Sequence, residues 1–161
     1  MKAQNTSGRK TSLTFERVLN ILATSNWAAE YLTRHPVLMD ELIDSDVLGK
    51  PDFDEWQTSL THELLATTHA GEPDIERQMD IAREQHHAQM FRVLARDLDG
   101  RLSVEQVSDQ LTALADCLLK VAIQVVWDAL PWKFRDQPQV TVIAYGRLGG
   151  KELGYASDLD L

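Results

Sequence analysis

The sequence predicts a mainly α-helical bundle followed by the truncated start of an α/β domain. From residue 12 to about residue 132, apolar side chains recur at intervals of three and four, the spacing of one buried helix face. Residues 131–138 begin and end with proline and are expected to form a linker. The run from Gln139 to Tyr145 is rich in β-branched residues, which is typical of a buried strand. We therefore expect a disordered tail at 1–11, a helical region at 12–132 and the start of a second domain at 138–161.

Composition and charge narrow the possible functions. The 161 residues are 43% hydrophobic and 25% charged, as in a soluble globular protein. Asp and Glu total 25 against 16 Lys and Arg, for a net charge of −9, and such a surface disfavours binding to nucleic acids and to anionic membranes. The N-terminus has no apolar signal segment and no apolar run is long enough to span a membrane, so we expect a cytoplasmic protein.

The first helices are predicted from short apolar sets on either side of the His35–Pro36 pair. Their members are Leu13, Val18, Ile21 and Leu22, then Val37, Leu38, Leu42 and Ile43. A third helix is expected to begin at Asp52, an acidic N-cap with Glu55 three residues on. Its apolar face is expected to contain Trp56, Leu60 and Leu64.

A fourth helix is predicted between Pro73 and Gly100. Pro73 is expected in its first turn, where a missing amide hydrogen costs little. His86 and His87 lie on this helix, one near the apolar face and one off it, and we interpret them as ordinary helix residues rather than metal ligands. The apolar face is expected to contain Ile75, Met79, Ala82, Phe91, Leu94 and Leu98.

The longest helix has the clearest signature. Ser103 and Gln106 fit a capping box, in which each side chain bonds the other residue's amide. The apolar positions that follow, three and four apart, are Val104, Val107, Leu111, Leu114, Leu118, Val121 and Val125. This pattern favours the buried face of a bundle over a free coiled coil, because the flanking segments are also helical and apolar. Cys117 is the sole cysteine and excludes an intrachain disulfide; we interpret it as a small core thiol.

The last residues carry the candidate chemistry. If Asp158 to Leu161 form a strand, Asp158 and Asp160 point to the same face, with about 7 Å between successive same-face positions. Two such carboxylates can hold Mg²⁺ together with the phosphate oxygens of a substrate. Gly149 and Gly150 allow a backbone to approach a phosphate closely. Ser157, next to the acidic pair, can add a hydroxyl.

Competing motifs fail on spacing. A Walker A loop requires glycine where Tyr145 stands and Ser or Thr where Glu152 stands. A dinucleotide fingerprint requires Gly-x-Gly, whereas Arg147 and Leu148 follow Gly146. Asp97-Leu98-Asp99 repeats the Asp-x-Asp pattern at a helix end, which shows that the pattern alone is weak evidence for a metal site.

These residues resemble a known family. The final sixteen, GRLGGKELGYASDLDL at 146–161, closely resemble the nucleotidyltransferase motif of the glutamine synthetase adenylyltransferases. Upstream, LTRHPVLMDEL at 32–42, DLDG at 97–100 and VSDQLT at 107–112 are similar to helical segments of the same family. The resemblance covers residues from about 12 to 161 and is most specific in the final sixteen.

The resemblance implies a polymerase-β-like nucleotidyltransferase domain behind the helical region. Enzymes of this family transfer AMP from ATP to a tyrosine of glutamine synthetase, and a homologous half removes it by phosphorolysis, under control of the PII regulatory protein and glutamine. By this likeness, Asp158 and Asp160 are the catalytic, metal-binding aspartates for Mg²⁺. Gly149, Gly150 and Ser157 are the nucleotide-binding residues.

The resemblance also suggests which half of the bifunctional enzyme the chain is similar to, and whether the chain alone can transfer AMP. Gly154 and Ala156 favour the adenylylating half, since the removing half usually has Asn and a second Ser near these positions. This fold usually takes a third carboxylate from a later strand, and the sequence ends at Leu161. We therefore expect the chain alone to transfer no AMP, and the segment 138–161 to be loosely packed.

Two alternative functions stay open. One is another nucleotidyltransferase that uses the same Asp-x-Asp metal pair on a different substrate. The other is a helical, non-catalytic module that contacts glutamine synthetase or PII, with the predicted strands unused.

Overall fold

The computed structural model describes residues 16, 23, 25–39 and 48–158. Several sequence predictions lie outside these residues: the tail at 1–11, the apolar set Leu13, Val18, Ile21 and Leu22, the pair Leu42 and Ile43, and the aspartate Asp160.

The described part of the chain is mainly helical, which confirms the predicted helical bundle. Helix α1 (Asn26–Arg34) is followed by a short 3₁₀ helix (Pro36–Met39) and by α2 (Phe53–Ala66). A two-stranded antiparallel hairpin, β1 (Thr68–His69) and β2 (Glu72–Pro73), leads into α3 (Ile75–Leu98). Helix α4 (Val104–Ala129) and the single turn α5 (Gly146–Gly149) complete the order.

Helix α2 begins and packs as predicted. The Asp52 carboxylate accepts a hydrogen bond from the Glu55 amide at 3.0 Å, so it satisfies a donor that the first helical turn leaves free. Trp56, Leu60 and Leu64 are all buried on one face.

Helix α3 begins later than predicted. Pro73 lies in β2, and the N-cap is Asp74, whose carboxylate accepts from the Arg77 amide at 3.1 Å. The predicted apolar face is also rotated at its start, since Ile75 and Met79 are half-exposed. Gln78 is buried there instead.

Gln78 is buried, but its side-chain amide keeps hydrogen-bond partners. Its side-chain amide donates to the carbonyl of Leu64 at 2.8 Å and to that of Thr67 at 3.3 Å. These carbonyls belong to the C-terminal end of α2, where helices leave acceptors without partners. Gln78 therefore joins the start of α3 to the end of α2.

Helix α4 has the predicted capping box. The Ser103 hydroxyl accepts from the Gln106 amide at 3.3 Å, and the Gln106 side chain accepts from the Ser103 amide at 2.9 Å. Val104 is 80% exposed, contrary to the prediction, so the buried face begins at Val107. It continues through Leu111, Leu114, Val121 and Val125, with Leu118 half-buried.

The core lies where α2, α3 and α4 pack against one another. Among the described helices, α4 alone is long and apolar enough to cross a bilayer by length and composition. Its apolar face instead forms the centre of this core, as expected for the central helix of a bundle. Cys117 is buried in that face, as predicted, and burial raises the pKa of its thiol.

A second, smaller cluster joins α1 and the 3₁₀ helix to α3. Ala28 and Leu32 of α1 pack with Leu38 of the 3₁₀ helix and with Phe91 and Leu94 of α3. All five are buried. This cluster seats α1 beside the C-terminal half of α3.

The predicted buried strand at Gln139–Tyr145 is wrong. These residues form no strand, and the side chains of Val140, Ile143 and Tyr145 are 58%, 61% and 63% exposed. A strand needs a neighbouring strand for its backbone hydrogen bonds and a surface to cover it. In the described residues the only strand pairing is the β1–β2 hairpin, so the sheet expected at the start of an α/β domain is not formed there.

Candidate functional site

The candidate site is the signature loop, defined as residues 146–158. It opens with the single turn α5 and continues through two further turns to Asp158. Gly149 is constrained by its close approach to the segment before the loop, because a Cβ at this position would lie 2.5 Å from the carbonyl oxygen of Ala144. Glycine is therefore required there by the packing of the loop against residue 144.

The amides of Gly149 and Gly150 both make local backbone hydrogen bonds. The Gly149 amide donates to the carbonyl of Tyr145 and the Gly150 amide to that of Gly146, each at 3.0 Å. In this conformation neither amide is free to donate to a phosphate. The assignment of Gly149 and Gly150 to nucleotide binding stays a prediction, and the structure supplies a separate reason for glycine at position 149.

Ser157 closes the turn that precedes the acidic residues. Its hydroxyl accepts from the Gly154 amide at 2.9 Å and from the Arg147 guanidinium at 3.3 Å. The Ser157 amide in turn donates to the Gly154 carbonyl at 3.1 Å. Ser157 thus fixes the backbone immediately before Asp158, and Arg147 reaches across the loop to the same hydroxyl.

Of the predicted metal pair, the structure describes only Asp158, whose side chain is exposed. Asp160 lies outside the described residues. Over 25–39 and 48–158, no group of three or more His, Cys, Asp or Glu side chains is placed to hold a metal ion. An exposed carboxylate suits Mg²⁺, which keeps several of its waters and binds through one or two carboxylates.

The signature loop is anchored to the bundle at two buried leucines. Leu148 and Leu153 are 3% and 4% exposed and belong to the main core cluster with α2, α3 and α4. The expectation that 138–161 is poorly ordered or only loosely packed does not hold at Leu148 and Leu153, although it agrees with the exposed residues at 139–145.

A third anchor is polar. The Tyr155 hydroxyl donates to the Asp97 carboxylate at 2.9 Å, and its ring lies 5.5 Å from that of Trp27. Burial raises the pKa of Tyr155, and the hydrogen bond to Asp97 raises it further. Sequence reasoning missed this contact, because Asp97 and Tyr155 are 58 residues apart and no local pattern connects them.

Three histidines, His35, His86 and His87, form an aromatic cluster with Tyr31. The ring centroids of His35 and His87 lie 4.2 Å apart, and the Tyr31 hydroxyl is hydrogen-bonded to Nδ1 of His87. Burial lowers the pKa of His87, and the neighbouring His35, His86 and Arg83 lower it further by repelling a second positive charge, so the neutral ring is favoured. This cluster holds α1 against α3, next to Tyr155.

The chain is similar to a set of long bacterial enzymes. It is 53% identical over 146 residues to the bifunctional glutamine synthetase adenylyltransferase/adenylyl-removing enzyme of Aromatoleum aromaticum, covering 90% of this chain and 15% of that protein. The proteins of the same description from Ralstonia nicotianae and Bordetella pertussis are each 50% identical, over 90% and 92% of the chain. The chain spans about 15% of the length of these relatives.

The match to a family model is equally extensive. Residues 15–161 match the model described as glutamate-ammonia ligase adenylyltransferase. This range contains all described helices and the whole signature loop. The chain belongs to the glutamate-ammonia ligase adenylyltransferase family.

Proposed function

We propose that this chain is part of a glutamine synthetase adenylyltransferase, which transfers AMP from ATP to a tyrosine of glutamine synthetase and so regulates nitrogen assimilation. In the homologous half of such an enzyme, phosphorolysis removes the AMP. The observation that carries the proposal is the single match over residues 15–161, which joins the helical region to the signature loop. A chance likeness of the short acidic motif would not include the helices.

In this function, Asp158 and Asp160 are the residues that hold Mg²⁺. Bound there, the metal supplies positive charge that neutralises the ATP phosphates and favours ionisation of the attacking tyrosine hydroxyl. The exposed Asp158 carboxylate fits this donor chemistry. Ser157 and Arg147 keep the backbone before Asp158 in one arrangement, while Gly149 and Gly150 leave the loop surface without side chains.

We assign the chain to the adenylylating half on the residues around Ser157. Gly154 and Ala156 stand where the removing half usually has Asn and Ser. A Cβ at Gly154 would meet only the Ser157 hydroxyl, at an ordinary contact distance of 3.7 Å. Packing therefore does not dictate glycine here, which leaves the position available to distinguish the two halves.

The remaining assignments follow from the same function. ATP and glutamine synthetase are the reactants, PII is the regulatory partner, and the cytoplasm is where all of them meet. The acidic net charge of −9 suits a protein substrate and metal-shielded ATP better than a nucleic acid.

The proposal is tested in a hybrid enzyme, in which this chain replaces its matching 146 residues in the A. aromaticum relative. We expect the hybrid to transfer labelled AMP to glutamine synthetase. Asp158→Asn and Asp160→Asn should each lower the rate about 100-fold or more, because each removes a charged metal ligand. Asp136→Asn, an exposed aspartate of the linker, is the matched control and should leave the rate unchanged.

Two results would contradict the proposal. A hybrid that folds but is inactive would show that this chain cannot perform the function of the segment that it replaces. Full activity of both aspartate variants would remove the metal role of Asp158 and Asp160.

A non-catalytic docking role is favoured by one observation. Trp132 and Phe134 are 87% and 101% exposed. Large exposed aromatic side chains are common anchors of protein interfaces. Pull-down of glutamine synthetase or PII by the chain, compared with Trp132→Ser and Phe134→Ser variants, tests this role. Two results together would favour docking over catalysis. The chain would capture glutamine synthetase or PII only when Trp132 and Phe134 are intact, and Asp158→Asn would leave the AMP-transfer rate of the hybrid unchanged.

A further inference from the structure

Asp97 of the helical bundle contacts Tyr155 of the signature loop. Of the loop residues that anchor it to the bundle, Tyr155 is nearest in sequence to Asp158. Asp97 sits in the last turn of α3 and accepts the Tyr155 hydroxyl at 2.9 Å. The Tyr155 ring packs against both hydrophobic clusters and lies 5.5 Å from the ring of Trp27. A hydrogen bond to a carboxylate is shorter and stronger than a neutral one, so this contact restrains Tyr155 in direction as well as in depth.

The backbone from Tyr155 to Asp158 is short and tied down. Only Ala156 and Ser157 stand between the two residues. Ser157 is bonded back to Gly154 through both its amide and its hydroxyl. The placement of Tyr155 therefore determines where the Asp158 backbone lies relative to the bundle.

We propose that Asp97 is a positioning residue for AMP transfer: through the Tyr155 hydroxyl, it fixes the place of Asp158. This inference rests on the proposed function, since it gives Asp97 a role only if Asp158 binds the metal. Leu148 and Leu153 already hold the loop to the core by burial. What Asp97 adds is a directional restraint three residues before the metal ligand.

The chain supplies a matched control two residues away. Asp99 is exposed, and its carboxylate pairs with the Arg101 guanidinium at 2.5 Å. It belongs to the same Asp-x-Asp sequence as Asp97 and carries the same charge. Asp99→Ala therefore reproduces the change of charge at this helix end without removing the restraint on Tyr155.

The kinetic test uses the hybrid enzyme, measured well below its unfolding temperature. Asp97→Ala and Tyr155→Phe should each lower kcat about tenfold, since small displacements of reacting groups have effects of at least this size. Each should also raise the Mg²⁺ concentration that gives half-maximal activity. The double variant should be no slower than the slower single variant, and Asp97→Asn, which keeps a neutral acceptor, should recover part of the rate.

A second measurement does not depend on activity. In the 161-residue chain, the NMR order parameter of the Asp158 amide should fall from about 0.85 towards 0.6 in Asp97→Ala and in Tyr155→Phe. Asp99→Ala should leave both this value and kcat unchanged. An inactive parent hybrid would contradict the proposed function, whereas these order parameters would still decide the positioning role.

Three outcomes would overturn the inference. One is a fall in Tm with kcat, Mg²⁺ dependence and order parameters all unchanged, which would make the contact structural only. Another is a double variant whose loss equals the product of the two single losses, because the residues would then act separately. The last is an equal effect from Asp99→Ala.

Discussion

Two adjacent stretches of this chain, residues 139–145 and 148–155, contain similar apolar residues and lie in different surroundings. Leu148 and Leu153 are buried in the helical core, whereas Val140 and Ile143 remain 58% and 61% exposed. Leu148 lies in the turn α5, and the Lys151 and Glu152 amides before Leu153 donate back to the carbonyls of that turn, so this backbone finds partners locally and the leucines need only an apolar surface. The β-branched run needs partner strands as well. Burial here depends on whether the backbone is satisfied locally, and hydrophobicity alone does not decide it.

The largest test of this comparison truncates a side chain in each stretch. Leu148→Ala should lower the free energy of unfolding by about 2–5 kcal/mol, because it leaves a cavity in the main core. Ile143→Ala, which removes exposed atoms, should change it by less than about 0.5 kcal/mol. Urea denaturation followed by circular dichroism measures both. Equal losses would show that 139–145 is packed in solution and that the contrast is wrong.

A smaller effect is expected from Gly149, which lies against the Ala144 carbonyl. Gly149→Ala should cost about 1–3 kcal/mol, since its new methyl group would overlap the Ala144 carbonyl and displace backbone. The control is Gly154→Ala, whose methyl group would have ordinary contact with Ser157. Equal stability of the two variants in the same denaturation experiment would contradict the tight packing of the loop.

The smallest effect concerns alkaline pH. The pKa of Tyr155 is raised in the folded state by burial and by Asp97, so the folded chain holds this proton more tightly than the unfolded chain does. The stability that results is present in full below the unfolded tyrosine value of about 10 and is lost as the pH rises above it. Between about pH 9 and 11, Tyr155→Phe should therefore show a shallower loss of stability than the parent. An identical slope would contradict the buried hydrogen bond.

The features that sequence predicted correctly are local ones. Asp52 and Ser103 lie within three residues of the amides that they cap. The buried faces of α2 and α4 follow from helical spacing alone, once those starts are known. Each of these predictions needed only the neighbouring residues.

The features that sequence did not predict connect distant residues. Gln78 is buried because its amide finds two carbonyls at the end of α2, and Asp97 gains a partner 58 residues away. The expected strand at 139–145 was wrong for a related reason: a strand depends on partner strands, and residues 139–145 do not indicate whether such partners are present. In the candidate site, the motif predicted a loop and its aspartates, and the metal role of those aspartates stays a prediction, whereas the loop's attachment depends on where the helices cross.

The Asp97–Tyr155 contact also bears on the order in which the chain folds. Closing a segment of 58 residues costs chain entropy that neighbouring contacts do not require, so interactions of this kind form late. The helical hairpin of α3 and α4 joins through the short turn at Gly100 and can form first. We therefore expect the signature loop to gain hydrogen-exchange protection after the hairpin does, so that Asp158 reaches its place only on a bundle that has already folded.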